Sequence, residues 1–459
     1  MAVNATVLLG VPCLGSTPVF GMDLSPPDSD FTFRLDTTVS YGRIWRVQGQ
    51  AHHNDAFNQN DGNRNFNTGL ASEVYKLTSD VDLKYKNYGA FVRGTAFYDT
   101  QIMDKRNDYE DNNTPAQPSQ NYPKNSSFTK AARDKAGSDA QILDAYVYGN
   151  WDVGGHAVSS RLGRQVFNWG EGLFYRGGIN TTNPVDVAKL RLPGAEVKEV
   201  LVPLEALSFT VNLTENLSTE AFYQWNWKES SYDPAGTLFS ESDLFVPGSH
   251  TAYANNASLA NPAFLNTYRQ LSALGVGGLQ GTEYLDSNGN FKVASVGRDI
   301  NAKDDGQFGV SFRYLAEALN ATEFGFYFVN YHAKDPTIAS SINSTHLSLD
   351  SLASLATRGA VSSYPSLVSA ATTSPVAAQA LGLINGASVV ELGNLTTARR
   401  EFPENIRMFG LSFNTSVADA SVFGELSYRP NLPIGRAALN DTVFDAFSQS
   451  TQILQGQTV

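Results

Sequence analysis

The sequence predicts an all-β protein: a transmembrane antiparallel up-and-down β-barrel of the outer membrane, with long extracellular loops containing short helices. Three observations predict it. Apolar and polar residues alternate with period two along many stretches of about ten residues. The connections between those stretches are alternately short and long. No apolar run approaches the roughly 18 residues that a spanning helix requires.

Composition agrees. Of 459 residues 17% are charged and 11% aromatic, and the mean hydropathy is −0.25. Soluble domains carry about 25% charge, whereas barrel strands hide their hydrophobicity by alternation. A net charge of −12 argues against nucleic acid, because phosphate contacts need clustered Lys and Arg. The start, "MAVNATVLLGVPCLGSTPVFGMDL", reads as an export signal over 1–21, with an apolar stretch around Val7–Leu14 and Met22 as the new N-terminus. It lacks the usual basic leader residues. Cys13 is the single cysteine, so the mature chain, 22–459, makes no disulfide within itself.

Eleven strands are expected, near 31–49, 77–87, 89–100, 140–152, 156–168, 200–213, 217–228, 307–317, 322–333, 404–415 and 421–429. In the first, Phe31, Phe33, Leu35, Val39 and Tyr41 share one face, against Thr32, Arg34, Asp36, Thr38 and Ser40. In "QFGVSFRY", Phe308, Val310, Phe312 and Tyr314 oppose Gln307, Ser311 and Arg313. In "AFYQWNWK", Tyr223, Trp225 and Trp227 are expected to face outward, with Gln224 and Asn226 inward. The turns after even-numbered strands are short, and the connections 50–76, 101–139, 169–199, 229–306 and 334–403 are long. Greek-key sandwiches have no reason for that rhythm. Short turns are then periplasmic, long loops face outside, polar faces line the lumen and apolar faces meet outer-membrane lipid. An odd strand count leaves a costly unpaired edge, so the chain reads as C-terminally incomplete, lacking its last strands.

The loops carry their own signals. "AFLNTYRQLSALG" and "LSLDSLASLATR" space leucines helically, as helices packed on one another or as an apolar lid. "YLDSNGNFKV" (284–293) is a hairpin signal centred on Asn288-Gly289. It is no calcium loop, because its sixth and twelfth positions are Phe291 and Gly297. No metal, nucleotide or hydrolase motif occurs, and nothing calls for a cofactor.

The most distinctive stretch is the insert at about 169–199. Asn183 can cap a helix, with Pro184 in its first turn, and Pro193-Gly194 ends it. The insert reads either as folded into the lumen or as a rigid outer loop, and inside the lumen its charges would need partners. Asp186 and Lys189 can pair on one face, and inward-facing Arg161, Arg164 and Gln165 are expected to meet Asp186 and Glu196. As a hypothesis, the path and its constriction comprise Arg161, Arg164, Gln165, Asn168, Trp169, Glu171, Asn183, Asp186, Lys189, Arg191 and Glu196.

"GRQVFNWGEG", "GINTTNPVDVAKLRLPGAEVKEVLVP", "EFPENIRMFGLSFNT" and "GELSYRPNLPI" resemble the domain of unknown function 1302 family of Gram-negative bacteria. The resemblance covers Phe31 to about Gly435. It implies the outer membrane, a periplasmic partner resembling the domain of unknown function 1329 family, and a resistance–nodulation–division type transporter in the same system. The expected function is a non-enzymatic channel or transporter for hydrophobic or amphiphilic, lipid-like compounds. Two alternatives stand beside it: a barrel enzyme acting on lipids or esters, and a structural or surface barrel.

Overall fold

A computed structural model describes residues 19–50, 57–172, 177–282, 284–343, 347–417, 419–434 and 447–455. One sheet of twelve strands dominates it: β1 (Val19–Asp23), β2 (Phe31–Arg46), β3 (Gly69–Tyr85), β4 (Tyr88–Asp99), β5 (Ser138–Val153), β6 (His156–Gln165), β7 (Leu204–Asn212), β8 (Leu217–Gln224), β11 (Gln307–Ala316), β12 (Thr322–Tyr331), β15 (Ile406–Val417) and β16 (Ala420–Tyr428). The order follows the chain, every pairing is antiparallel, and β1 and β16 do not pair with each other among the described residues.

All eleven expected strands are present, and the two largest differences are at the N-terminal side of the sheet. β1 is a twelfth strand, and the last residues of the expected signal segment, Val19–Gly21, lie in it; residues 1–18, with Cys13, are outside the described residues. β3 starts at Gly69 rather than 77, because β2 pairs with it to Arg46↔Gly69 and holds eight further residues in the ladder. The rhythm of connections is as expected: Lys86–Asn87, Gly154–Gly155 and similar short turns alternate with 47–68, 100–137, 166–203, 225–306 and 332–405.

Alternation gives the sheet two unlike faces. On one, Tyr41, Tyr75, Leu77, Phe209, Phe308, Phe312, Phe326, Phe409, Leu411 and Phe413 are exposed. On the other, Ser40, Lys76, Thr78, Gln165, Ser208, Gln224, Ser311 and Ser412 are buried. Tyr223 and Trp225 are 46% and 41% exposed and Gln224 1%, so this register is as expected up to Trp225. Trp227 corrects it. β8 ends at Gln224, alternation ends with it, and Trp227 turns into a small core with Ala302 and Phe402. Asn226 instead donates to Glu205 on the exposed face, at 3.1 Å.

The long connections 225–306 and 332–405 build a second layer. β9 (Thr251–Asn255), β10 (Asn290–Val296), β13 (Thr337–Ile342) and β14 (Thr396–Glu401) form a sheet in the order β13-β14-β10-β9. Helices Pro262–Ala273, Leu349–Ala356, Tyr364–Ala370 and Pro375–Leu395 pack on it and on one another through Leu265, Tyr268, Leu352, Leu367 and Ile384. Each starts on an Asn or Ser whose side chain caps the first turn. Pro375–Leu395 is the one described helix long and apolar enough to cross a membrane, and it is half buried in this layer. The expected hairpin at 284–293 is a turn only. Asp286 accepts from Asn288 and Asn290 main-chain N–H groups, but β10 pairs with β9.

Candidate functional site

The connection 166–203 lies on the buried face of the main sheet. Its legs pair, with Asp186 N donating to Val200 O at 2.8 Å and Val202 N to Pro184 O at 2.9 Å. Between them are two helical turns, Val187–Leu190 and Val197–Val200, joined through Pro193-Gly194. Asn183 closes the base: its oxygen accepts from Phe167 N at 2.7 Å, and its amide donates to Val202 O at 2.9 Å. The expected cap is therefore corrected. Asp186 caps the first turn, accepting from Lys189 N at 3.1 Å, because the Phe167 amide has taken the Asn183 oxygen.

One half of the insert is apolar. Phe167, Trp169 and Ile179 are buried against Phe222, Tyr327, Val329, Ile406 and Met408. The Trp169 indole donates to Glu220 at 2.7 Å. Glu425 on β16 accepts the main-chain N–H groups of Glu171, Gly172 and Ile179 at 2.9, 3.2 and 3.1 Å. The Glu171 carboxylate in turn accepts from Ser412 and Asn414 on β15. Arg429 donates to the carbonyls of Gly177 and Gly178.

The other half is charged and meets β2, β3 and β5. Lys76 and Glu199 form an ion pair of 2.6 Å with both side chains 4% exposed. Thr78 donates to the second Glu199 oxygen at 2.6 Å. Lys189, also buried, pairs with Asp139 at 3.2 Å. Pro193 sits on Gly42, where a Cβ would lie 2.3 Å from the Pro193 Cβ. Arg191 reaches the loop layer, at 2.8 Å from Asp233. Burial pushes Asp186 above the usual carboxylate range, with Lys189 opposing. The hydrogen bonds from Lys76 and Thr78 outweigh burial at Glu199, which is held below it.

These contacts define the curvature of the sheet. Ile179 touches β15 and β16, and Pro193 touches β2. Laid flat, β2 and β16 would be ten strand spacings apart, roughly 48 Å at about 4.8 Å each. A fully extended chain from 179 to 193 barely reaches that, at roughly 3.4 Å per residue, and this one contains a helical turn. The sheet must therefore curl around the insert.

Four expectations are corrected here. Arg164 does not face the insert: residues 161, 163 and 165 share one face, so 164 lies on the other, 3.3 Å from Glu205. Arg161 does share the insert's face but lies over the Tyr146 ring, 5.5 Å from its centroid. Glu196 pairs with Lys198 at 3.0 Å rather than with either arginine. Lys189 makes its ion pair with Asp139, not with Asp186. Gln165 is inward and buried, accepting from Ser208 at 2.9 Å and donating to the Ala206 carbonyl. Asn168 is exposed, its carbonyl 3.4 Å from Arg313.

A family model described as "Protein of unknown function (DUF1302)" matches residues 3–457. The chain belongs to this family. No curated protein matches the DUF1302 chain. Among solved structures it is similar to the siderophore receptor PirA from Pseudomonas aeruginosa, at 9% identity and a TM-score of 0.24, over 87% of this chain and 51% of that one. The chain thus spans about half the length of that receptor, and so loose a superposition carries no argument.

Sequence reasoning missed the anchors of the DUF1302 insert: Lys76, Thr78, Asp139, Glu220, Glu425 and Arg429. A signal for two existed. Lys76 and Thr78 continue the polar face of Asp80 and Asp82, which marks them as inward once the strand is extended to Gly69. No group of three or more His, Cys, Asp or Glu that could hold a metal stands among the described residues. The described histidines 156, 250 and 332 all bond main-chain atoms.

Proposed function

We propose that the chain is an outer-membrane barrel whose lumen is narrowed by the 166–203 insert, and that it passes hydrophobic or amphiphilic, lipid-like compounds without catalysing a reaction on them. One observation carries the reading: a single insert is gripped by strands from both ends of the sheet, on its polar face, while the opposite face is a broad apolar band. A soluble monomer rarely exposes apolar patches beyond a few hundred Å², and lipid supplies the neighbour that this band requires. The aromatic wall formed by Phe167, Phe222 and Tyr327 supports an apolar cargo. The insert's charged half supports a gate, because its buried pairs exchange for water when it moves. Passage across the envelope then needs a periplasmic partner, for which a protein resembling the domain of unknown function 1329 family is the candidate, and an inner-membrane transporter of the resistance–nodulation–division type.

The test is single-channel conductance of the reconstituted chain with residues 183–194 deleted. The deletion is expected to raise conductance several-fold and to admit bulkier solutes. Unchanged permeability in a folded variant reduces the insert to an ordinary loop. Mass spectrometry of lipids retained on purification tests the cargo class separately.

A further inference from the structure

Away from the insert, the long connections meet at a buried knot of oxygen atoms. Asn60, Asp61 and Asn65 come from the connection 47–68, and Asp243 from 225–306. All four are buried, Asn60 and Asp243 at 0% exposure, Asp61 at 3% and Asn65 at 5%. Oδ2 of Asp243 accepts the main-chain N–H groups of Asn60 and Asp61 at 2.8 and 3.1 Å. Asp61 lies one helical turn from Asn65, so the two share a face.

Gly236 touches three of these residues, Asp61, Asn65 and Asp243. A Cβ placed on it would lie 2.6 Å from the Asn65 amide nitrogen and 3.7 Å from the Asp61 Cβ, and its own N–H lies beside the Asp243 carboxylate. The Asn65 amide donates to the Gly236 carbonyl at 2.7 Å. Only the nitrogen of an Asn side chain can donate to a carbonyl, so the orientation of that amide is settled and its oxygen points away from the Gly236 carbonyl.

Three acceptors here have no donor. Oδ1 of Asn60, of Asn65 and of Asp243 are enclosed without a hydrogen-bond partner. The amide nitrogen of Asn60 is already given to Gln117 at 2.8 Å. Nor does a cation of the chain meet the two carboxylates among the described residues. Arg64, whose charge reaches Asp61, donates to Asn113 and to the Pro115 carbonyl. Buried acceptors without partners are costly, and two buried carboxylates call for a positive charge that the neutral N–H groups on Asp243 and Asp61 do not carry.

We propose that this knot is a calcium site, with Asp61 and Asp243 as its carboxylate ligands and the amide oxygens of Asn60 and Asn65 completing the protein's share. Ca²⁺ takes six to eight oxygen ligands in a flexible geometry and accepts mixed carboxylate and amide sets. Mg²⁺ demands a regular octahedron and holds its water, which an enclosed, irregular set does not offer. With two carboxylates the site also neutralises its own ion. Gln117 and Gln120 join the connection 100–137 to it, Gln120 N donating to Asp61 at 2.7 Å. Bound Ca²⁺ ties three long connections into one rigid layer over the end of the sheet.

The experiment uses the full chain in detergent, stripped with a chelator and titrated with Ca²⁺ by calorimetry and with Tb³⁺ by tyrosine-sensitised luminescence. Tyr109, fully buried beside Arg64, is the antenna. One ion is expected to bind per chain, and Asp61→Asn and Asp243→Asn are each expected to weaken it at least tenfold. Tyr109→Phe should lower the luminescence, leaving what Tyr253 supplies, and keep the calorimetric signal. Absence of saturable binding, or binding undiminished in both Asn variants, overturns the site. If those variants fail to fold, Asn60→Asp decides, because the Gln117 amide that now accepts from Asn60 can turn to donate: a third carboxylate must tighten Ca²⁺ binding several-fold, and an unchanged affinity overturns the proposal.

Discussion

Lys76 and Glu199 show what one buried charge asks of its neighbours. Each Glu199 oxygen has donors, from Lys76 and the Glu196 N–H on one side and from Thr78 on the other. Truncating Lys76 to Ala leaves that carboxylate buried and uncompensated, at a cost of about 3–5 kcal/mol. Denaturant unfolding of Lys76→Ala is expected to show that loss. The double variant Lys76→Met with Glu199→Leu should recover most of it, since apolar replacement of both partners is close to neutral. Lys334, buried beside Gln307 at 2.8 Å, presents the opposite case. Burial lowers its ammonium to about 7, so the folded chain binds fewer protons than the unfolded one between about 7 and the usual lysine value. Stability should therefore rise with pH across that window. Melting temperatures of Lys334→Met are expected to lose this rise; an identical slope in wild type and variant would remove Lys334 as its source.

The insert behaves as an element with a fixed base and a releasable tip. Asn183 binds the two legs together, and replacing it by Ala leaves the buried Phe167 N–H without an acceptor, worth about 1–3 kcal/mol. At the tip, Gly42 leaves no room for a side chain beneath Pro193. Gly42→Val is expected to lift the 191–196 turn off β2. Protease cleavage between 183 and 194 should then quicken while strand content by circular dichroism stays constant. Conductance should move toward that of the deletion. The element's presence and its Pro193-Gly194 turn were legible in the sequence, whereas its docking on the polar face was one of two readings, beside a rigid outer loop. Its helix start was not, because Asn183-Pro184 offers the same local pattern whether its oxygen caps Val187–Leu190 or bonds Phe167. A residue 16 positions away decided between them.

At the scale of the whole molecule, a curled sheet places Trp225 and Trp169 in opposite surroundings, one exposed on the apolar face and the other, within the insert, 2% exposed against Phe222 and Tyr327. In vesicles of brominated lipid, Trp225→Phe is expected to remove much of the quenchable tryptophan fluorescence, and Trp169→Phe to remove little. Equal quenching would deny that the apolar face meets lipid. The loop layer was only half legible. Helical spacing announced Pro262–Ala273 and Leu349–Ala356, but nothing local announced that β10 and β14 would pair in parallel across about 100 residues of chain.

By itself the sequence determined the meander: which residues form strands, which face is apolar and where the chain turns. Those follow from period-two alternation and turn chemistry, which act over a few neighbouring residues. Tertiary structure decided the rest. That Arg164 pairs with Glu205 and not with the insert, that Glu199 finds Lys76, and that Trp227 leaves the exposed apolar row all depend on where a strand stops and which strand lies beside it. β3 is longer than its own pattern requires because β2 offers partners to Gly69, and only that extension brings Lys76 under the insert. Alternation is a property of one strand, whereas charge pairing in a buried space is a property of two segments brought together. No pattern along a single segment carries the second.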